Sequence, residues 1–176
     1  MAKVARISHL QEFKNTGKKF SCLTSYDQQT AGIFDEAGIN VLLVGDSAAE
    51  NHLGLDSVLA LTVDEIIPLG KAVASAAKSA LVVIDMPFGS YESSPEQALD
   101  NAVKIMKQTG AAAVKLEGGR RSAEQISKIV EAGIPVMAHI GFTPQSVHAL
   151  GGFKIQGRGD DADEVLAEAM AVQEAG

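Results

Sequence analysis

The sequence of 176 residues contains no tryptophan, two tyrosines and a single cysteine. Because there is one cysteine, Cys22, a disulfide within the chain is excluded, and its place in the apolar run 20–24 predicts a buried core thiol rather than a nucleophile. Lysine and arginine number 15 against 22 acidic residues, which gives a net charge of −7. Nucleic-acid-binding surfaces need clustered basic residues and often aromatic stacking platforms, so the composition argues against such a partner.

Long hydrophobic runs are also missing. No stretch approaches the ~20 apolar residues that a membrane span requires, and the first residues lack the apolar core of a signal peptide. A hydrophobic content of 46% with 21% charged residues is nevertheless typical of a folded chain with a substantial core. We therefore expect one cytoplasmic domain covering residues 1–176, with neither a membrane nor a nucleic acid among its partners.

Short apolar runs rich in Val, Ile and Leu alternate with segments of helical character. Such runs are typical of buried parallel strands, which are predicted at 20–25, 40–45, 81–85, 112–117 and 134–139. Helices are predicted at 27–37, 63–77, 95–108, 122–132 and 161–175, with loops from 46 to about 61 and at 141–160. Thr62 with Glu65 predicts a capping box, and Ser94 and Ser122 are predicted as helix N-caps.

This alternation predicts an α/β fold with a parallel sheet and right-handed crossovers. Glu-Ala-Gly recurs at 36–38, 131–133 and 174–176, and the first two copies directly precede a predicted strand. A closed (β/α)8 TIM barrel needs eight strands and typically about 250 residues. We interpret the chain as the first five βα units of such a barrel, with the sixth to eighth units absent; a complete five-stranded open sheet is the alternative. The unpaired edges of such an arc favour self-association, so we expect a homo-oligomer.

Polar side chains with possible chemical roles follow four of the predicted strands. The carboxyl ends of consecutive parallel strands converge on one mouth, where (β/α) barrels carry their chemistry. Carboxylates at the ends of adjacent strands can share one Mg²⁺, which prefers oxygen ligands and keeps several waters, although capping of the following loop is the alternative for each carboxylate alone. The residues in question are Asp46 with Ser47, Asp85, Lys115 with Glu117, and His139.

Lys115 and Glu117 are two positions apart on one predicted strand, so their side chains share a face. An unpaired charge would be costly at a buried position. The pair therefore has two possible explanations. Lys115 and Glu117 form a mutual salt bridge, or Lys115 neutralises a substrate carboxylate while Glu117 holds metal-bound water. His139 is either structural or a substrate contact.

Five segments in order make the sequence similar to the ketopantoate hydroxymethyltransferase family: 44–47, 85–88, 114–119, 139–146 and 151–159. The resemblance implies a (β/α)8 barrel of the phosphoenolpyruvate/pyruvate superfamily. It also implies transfer of a hydroxymethyl group from 5,10-methylenetetrahydrofolate to the α-keto acid 3-methyl-2-oxobutanoate, the first committed step of pantothenate synthesis. By match to the family motifs, the implied Mg²⁺ ligands are Asp46 and Asp85, with Glu117 supporting the ion through water. The implied substrate contacts are Asp46, Ser47, Asp85 and Lys115, with His139 beside the keto acid.

The family's general base is a glutamate at the end of the sixth strand, and the predicted strands number five. No residue here receives that role from the resemblance, and His139 is the first candidate within the chain. We therefore expect the chain alone to lack activity. The loop at 48–57 also departs from the family pattern. Two other functions stay open: a different Mg²⁺-dependent lyase or mutase of this superfamily, and an inactive fragment that assembles with like chains.

Overall fold

The structure, a computed structural model, describes residues 5–159 and 161–176. Within these residues, five parallel strands form one sheet in the order in which they occur along the chain. The third strand has its predicted bounds, and the others are present but shorter than predicted. The strands are β1 (Cys22–Thr24), β2 (Val41–Val44), β3 (Leu81–Asp85), β4 (Ala113–Glu117) and β5 (Val136–His139). Residues 1–4 of the predicted domain and residue 160 of the predicted loop lie outside the described residues.

The helices alternate with the strands, as predicted. They are α1 (Ile7–Thr16), α2 (Gln28–Glu36), α3 (Ala48–Asn51), α4 (Val63–Ala76), α5 (Pro95–Thr109), α6 (Ala123–Glu131) and α7 (Asp161–Ala175). Sequence analysis missed α1 and α3. The first has no buried residue, and the second is a single turn. In the described part of the chain, none of the helices has the length and apolar character that crossing a bilayer would require.

The sequential strand order identifies the type of α/β fold. Doubly wound sheets reverse their strand order at a switch point, whereas a barrel adds each strand on the same side of the last one. All four neighbouring strand pairs are parallel and consecutive. The arrangement is therefore an arc of consecutive (β/α) barrel units, and the predicted fold class is confirmed.

The two faces of the sheet carry different side chains. One face packs against the helices in the main core, to which Leu42, Ile84 and Leu116 contribute. The opposite face, which would be the inside of a barrel, carries a smaller cluster that includes Val41 and Val83. The side chains of β3 and β4 that alternate with the main core residues therefore face inward.

Helix ends show which of the predicted caps form. Thr62 and Glu65 make the predicted capping box, with Glu65 N donating to Thr62 Oγ1 at 3.3 Å and Thr62 N donating to Glu65 Oε2 at 2.9 Å. Ser94 caps α5 as predicted. Ser122 occupies the N-cap position of α6 as predicted, but its side chain makes no capping hydrogen bond, because the hydroxyl instead donates to the carbonyl oxygen of Glu117 at 2.9 Å. That bond ties the end of β4 to the start of α6.

The repeated Glu-Ala-Gly sequence ends α2 and α6. Gly38 and Gly133 have φ values of 82° and 87°, in the left-handed region that favours glycine just after a helix. The chain then turns into β2 and β5, as the repeat predicts.

The prediction of a buried thiol is wrong, because Cys22 is exposed. It lies on β1, which pairs only with β2 among the described residues and forms an edge of the sheet. An apolar run does not by itself distinguish an edge strand from a central one. Leu23 on the same strand is 41% exposed, and the homo-oligomer that would cover such an edge stays a prediction.

Asp35, on α2, holds the connection between α4 and β3 at the amino end of the sheet. Its carboxylate accepts hydrogen bonds from the backbone N–H groups of Lys78, Ser79 and Ala80 at 3.0, 2.9 and 2.7 Å. Burial favours the neutral acid, but these hydrogen bonds favour the carboxylate and lower the pKa of Asp35 below its ordinary value of 3.8.

We expect Asp35→Asn to lower the free energy of unfolding by about 1–3 kcal/mol, because three backbone donors, of which that of Ala80 is buried, lose an ionised acceptor. Since the folded-state pKa is depressed, this difference should be complete above pH 3.8 and should shrink as pH falls through the folded-state value. Denaturant unfolding of both proteins across this range measures it, with Asp64→Asn on the exposed surface as the control. A difference that persists unchanged far below pH 3.8 would contradict the role of ionisation.

Candidate active site

The carboxyl ends of the strands bring the predicted polar residues to one mouth. Asp85, Glu117 and His139 are the last residues of β3, β4 and β5, and Asp46 follows β2 by two positions. Asp46, Asp85 and Glu117 are 4%, 1% and 1% exposed. Lys115 is also buried. A buried group of charged side chains at this end of the sheet is what the strand-end pattern predicts.

Asp85 is the main partner of Lys115. Lys115 Nζ donates to Asp85 Oδ1 and Oδ2 at 2.8 and 2.7 Å, whereas its distance to Glu117 Oε1 is 3.7 Å. The mutual Lys115–Glu117 bridge considered from the sequence is thus a secondary contact. The reason is strand register, because Lys115 lies directly opposite Asp85 on the neighbouring strand.

The charges in this cluster do not balance. Burial raises the pKa of Asp85 to about 7; Lys115 opposes this rise and Asp46 adds to it. Burial also disfavours the charge of Lys115, but Asp85, together with Asp46 and Glu117, outweighs it and raises the Lys115 pKa above its usual value. With Asp46, Asp85 and Glu117 sharing one ammonium group, the mouth is short of positive charge.

Glu117 orients His139. Glu117 Oε1 lies 3.0 Å from His139 Nδ1, and its other oxygen accepts a hydrogen bond from the backbone N–H of Gln145 at 3.0 Å. A carboxylate beside Nδ1 favours the imidazole with its proton on that nitrogen. The Nε2 atom is then available to a second partner.

Ser47 is joined to a residue that sequence analysis missed. Its Oγ lies 2.9 Å from the hydroxyl of Tyr26, which follows β1 by two positions. Tyr26 therefore has the same relation to β1 that Asp46 has to β2. That strand-end position was an available signal for it.

Gln145 and Tyr91 were also missed. Gln145 Nε2 donates to Asp46 Oδ2 at 2.9 Å and to the Met86 carbonyl at 3.0 Å. The Tyr91 hydroxyl donates to Gln145 Oε1 and accepts from the Glu117 backbone N–H at 3.2 Å. Both side chains are almost fully buried. Gln145 lies within segment 139–146, but no sequence signal distinguishes Tyr91.

The donor atoms at the mouth fit a hard divalent cation. Asp46 and Asp85 are close enough for the Asp46 backbone N–H to donate to Asp85 Oδ2 at 3.1 Å. In residues 5–159 and 161–176, no three His, Cys, Asp or Glu side chains are arranged to hold a metal. An ion here would thus rely on two carboxylates plus water or substrate oxygens, a common mode for Mg²⁺. A water-mediated role for Glu117 stays a prediction.

The fold and the site define the class of protein: a (β/α) barrel arc with carboxylates and a lysine at the strand ends. Solved structures share this fold. They include phosphonopyruvate hydrolase, with a TM-score of 0.71 at 15% identity over 96% of this chain and 59% of that chain. Phosphoenolpyruvate phosphomutase from Streptomyces platensis subsp. rosaceus has a TM-score of 0.69 at 18% identity, over 96% and 61% of the two chains. A 2,3-dimethylmalate lyase of the PEP mutase/isocitrate lyase superfamily has a TM-score of 0.64 at 16% identity, over 96% and 60%.

The sequence matches the model of the ketopantoate hydroxymethyltransferase family over residues 4–176, and the chain belongs to that family. Curated relatives named 3-methyl-2-oxobutanoate hydroxymethyltransferase include one from Leifsonia xyli subsp. xyli, 63% identical over 99% of this chain and 63% of that protein. Another, from Saccharopolyspora erythraea, is 61% identical over 97% of this chain and 58% of that protein. A third, from Corynebacterium efficiens, is 61% identical over 99% of this chain and 65% of that protein. The chain thus spans about three fifths of the length of these relatives.

Proposed function

We propose that the strand-end cluster binds 3-methyl-2-oxobutanoate and Mg²⁺ for hydroxymethyl transfer from 5,10-methylenetetrahydrofolate, as a step of pantothenate synthesis. The observation that carries the proposal is the buried group of Asp46, Asp85 and Lys115, in which paired carboxylates lie beside one cation. Family membership supports the choice of reaction, because the curated relatives carry the name of this hydroxymethyltransferase.

Asp46 and Asp85 would hold the Mg²⁺, with Glu117 nearby. When bound, the ion would act as a Lewis acid that stabilises negative charge on the keto oxygen. A solved structure with this fold, phosphonopyruvate hydrolase, is a complex with oxalate and Mg²⁺. Oxalate resembles the adjacent carboxylate and keto oxygens of an α-keto acid, which supports the proposed pairing of ligand and ion.

The protein side chains would bind and orient the keto acid. Lys115 would neutralise its carboxylate, and Ser47, oriented by Tyr26, would donate a hydrogen bond to it. The C3 proton must pass to a base, and the family resemblance assigns that role to a glutamate of the sixth strand. At this mouth, His139 is the first candidate for a base, because Glu117 beside Nδ1 favours the tautomer in which Nε2 can accept a proton.

Calorimetric titration of the chain with 3-methyl-2-oxobutanoate, with and without Mg²⁺, tests this proposal. We expect binding that depends on Mg²⁺ and that weakens by about tenfold or more for 3-methylbutanoate, which lacks the keto oxygen. Ser47→Ala should weaken binding of the keto acid more than it weakens binding of Mg²⁺. The proposal is wrong if the two acids bind with equal affinity, or if binding does not depend on Mg²⁺.

Another Mg²⁺-dependent α-keto-acid lyase or mutase is the second candidate, because the solved structures with this fold include a phosphomutase and a lyase. Identity to those structures is only 16–18%, however, against 61–63% to the hydroxymethyltransferase relatives. Phosphonopyruvate is the discriminating ligand. If it binds in the same titration more tightly than 3-methyl-2-oxobutanoate, the second candidate is favoured.

A further inference from the structure

Gln145 connects the ends of three strands through its side chain and its backbone N–H. Its amide nitrogen contacts Asp46 Oδ2 and the Met86 carbonyl just beyond β3, and its backbone N–H holds Glu117 at the end of β4. The side chain is only 5% exposed. Gln145 lies in the loop that follows β5, so its hydrogen bonds join this loop to the carboxyl ends of β2, β3 and β4.

The orientation of the Gln145 amide is determined by its neighbours. Asp46 Oδ2 and the Met86 carbonyl are both acceptors, so the group that faces them must be the NH₂. The Tyr91 hydroxyl accepts from the Glu117 N–H and therefore directs its own proton to Gln145 Oε1. A flipped amide would place an oxygen against two acceptors, which is unfavourable.

This arrangement leaves the two oxygens of Asp46 unequal. Oδ2 is occupied by the Gln145 NH₂, whereas no group in the described part of the chain donates a hydrogen bond to Oδ1. A cation that took both oxygens of Asp46 would therefore compete with the Gln145 NH₂ for Oδ2, whereas at Oδ1 it would meet no such competition. Mg²⁺ binds carboxylates in a strict octahedral geometry, whereas Ca²⁺ readily takes both oxygens of a carboxylate in a larger shell.

We propose that Gln145 is a positioning residue that limits Asp46 to one coordinating oxygen, Oδ1, and thereby makes the site favour Mg²⁺ over Ca²⁺. The proposal rests on the proposed metal-binding function. Partners that orient a metal ligand typically contribute 10–100-fold to metal affinity, so the effect should be measurable.

The test compares the affinities of the chain for Mg²⁺ and Ca²⁺, each titrated calorimetrically as its chloride salt. Gln145→Met keeps the length of the side chain but removes its amide. We expect the Mg²⁺ affinity to fall about 10–100-fold while the Ca²⁺ affinity falls less or rises, so that the Mg²⁺/Ca²⁺ preference drops by about tenfold. The matched control is Gln125→Met on α6, a glutamine of similar burial that lines the same pocket as Gln145 but makes no hydrogen bond to Asp46 within the described residues. The Mg²⁺/Ca²⁺ preference of this variant should equal that of the wild type.

Each other outcome has a definite meaning. Equal losses for Mg²⁺ and Ca²⁺ would show a merely structural role, and unchanged affinities would show no role; either result overturns the inference while the proposed function stands. A wild-type chain that binds neither ion would overturn the proposed metal site and the inference with it. If Gln145→Met does not fold, Tyr91→Phe decides, because it removes the hydroxyl that orients the amide and should shift the preference in the same direction by a smaller factor.

Discussion

Asp85→Asn is expected to weaken Mg²⁺ binding by about 100-fold, the upper end of the loss seen when a group that merely orients a metal ligand is removed. The side chain is 1% exposed, and it lies beside Asp46 in a cluster that is short of positive charge. Asparagine keeps the shape of the side chain but loses the charge that attracts the ion. Calorimetric titration of the chain with Mg²⁺, at a pH above 7 where the Asp85 carboxyl is ionised, gives the comparison.

Asp35→Asn is the matched control for this experiment. It makes the same substitution at another buried aspartate, at the amino end of the sheet, where Asp35 meets backbone N–H groups. We expect it to reduce stability without changing Mg²⁺ affinity. Similar Mg²⁺ affinities for Asp85→Asn and the wild type would exclude Asp85 as a ligand.

Lys115→Met is expected to lower the free energy of unfolding by about 3–5 kcal/mol in metal-free buffer, because buried carboxylates lose their cation. Lys115 Nζ contacts both oxygens of Asp85, and within the described residues no other cation forms an ion pair with Asp85. Added Mg²⁺ should stabilise this variant more than it stabilises the wild type, since the ion supplies the missing positive charge. Denaturant unfolding with chelator and with Mg²⁺ measures both effects.

Lys104→Met provides the comparison for a surface ion pair. Lys104 Nζ lies 2.6 Å from Asp64 Oδ1, but the two side chains are 39% and 80% exposed. Such pairs contribute about 0–1 kcal/mol, so a small loss without Mg²⁺ dependence is expected. If Lys115→Met is no more destabilised than Lys104→Met, or if Mg²⁺ stabilises all three proteins equally, the proposed charge balance is wrong.

Strand-end residues could be predicted from the sequence because strand geometry fixes them. Apolar runs located the strands, and the two-residue period placed Lys115 and Glu117 on one face. The choice of Asp85 over Glu117 as partner of Lys115 could not be predicted, because it depends on the register between β3 and β4. Register is set by packing across strands rather than by any local pattern.

Loop residues were beyond the reach of the same reasoning. Gln145 meets Asp46 across 99 positions of sequence, and Tyr91 meets Gln145 across 54. Neither residue has a periodic pattern that would place it at the mouth. The exposure of Cys22 was missed for a related reason, since burial of a strand depends on what covers it and not on its own composition.

The position of Asp35 has a consequence for directed evolution of this scaffold. The carboxylate that fastens α2 to the start of β3 lies at the amino ends of the strands, whereas the groups proposed to bind substrate lie at the carboxyl ends. Libraries that randomise the segments after β2, β3 and β5 would therefore leave the hydrogen bonds of Asp35 intact. Variants selected there for other keto acids can retain the scaffold's folding free energy while their pocket chemistry diverges.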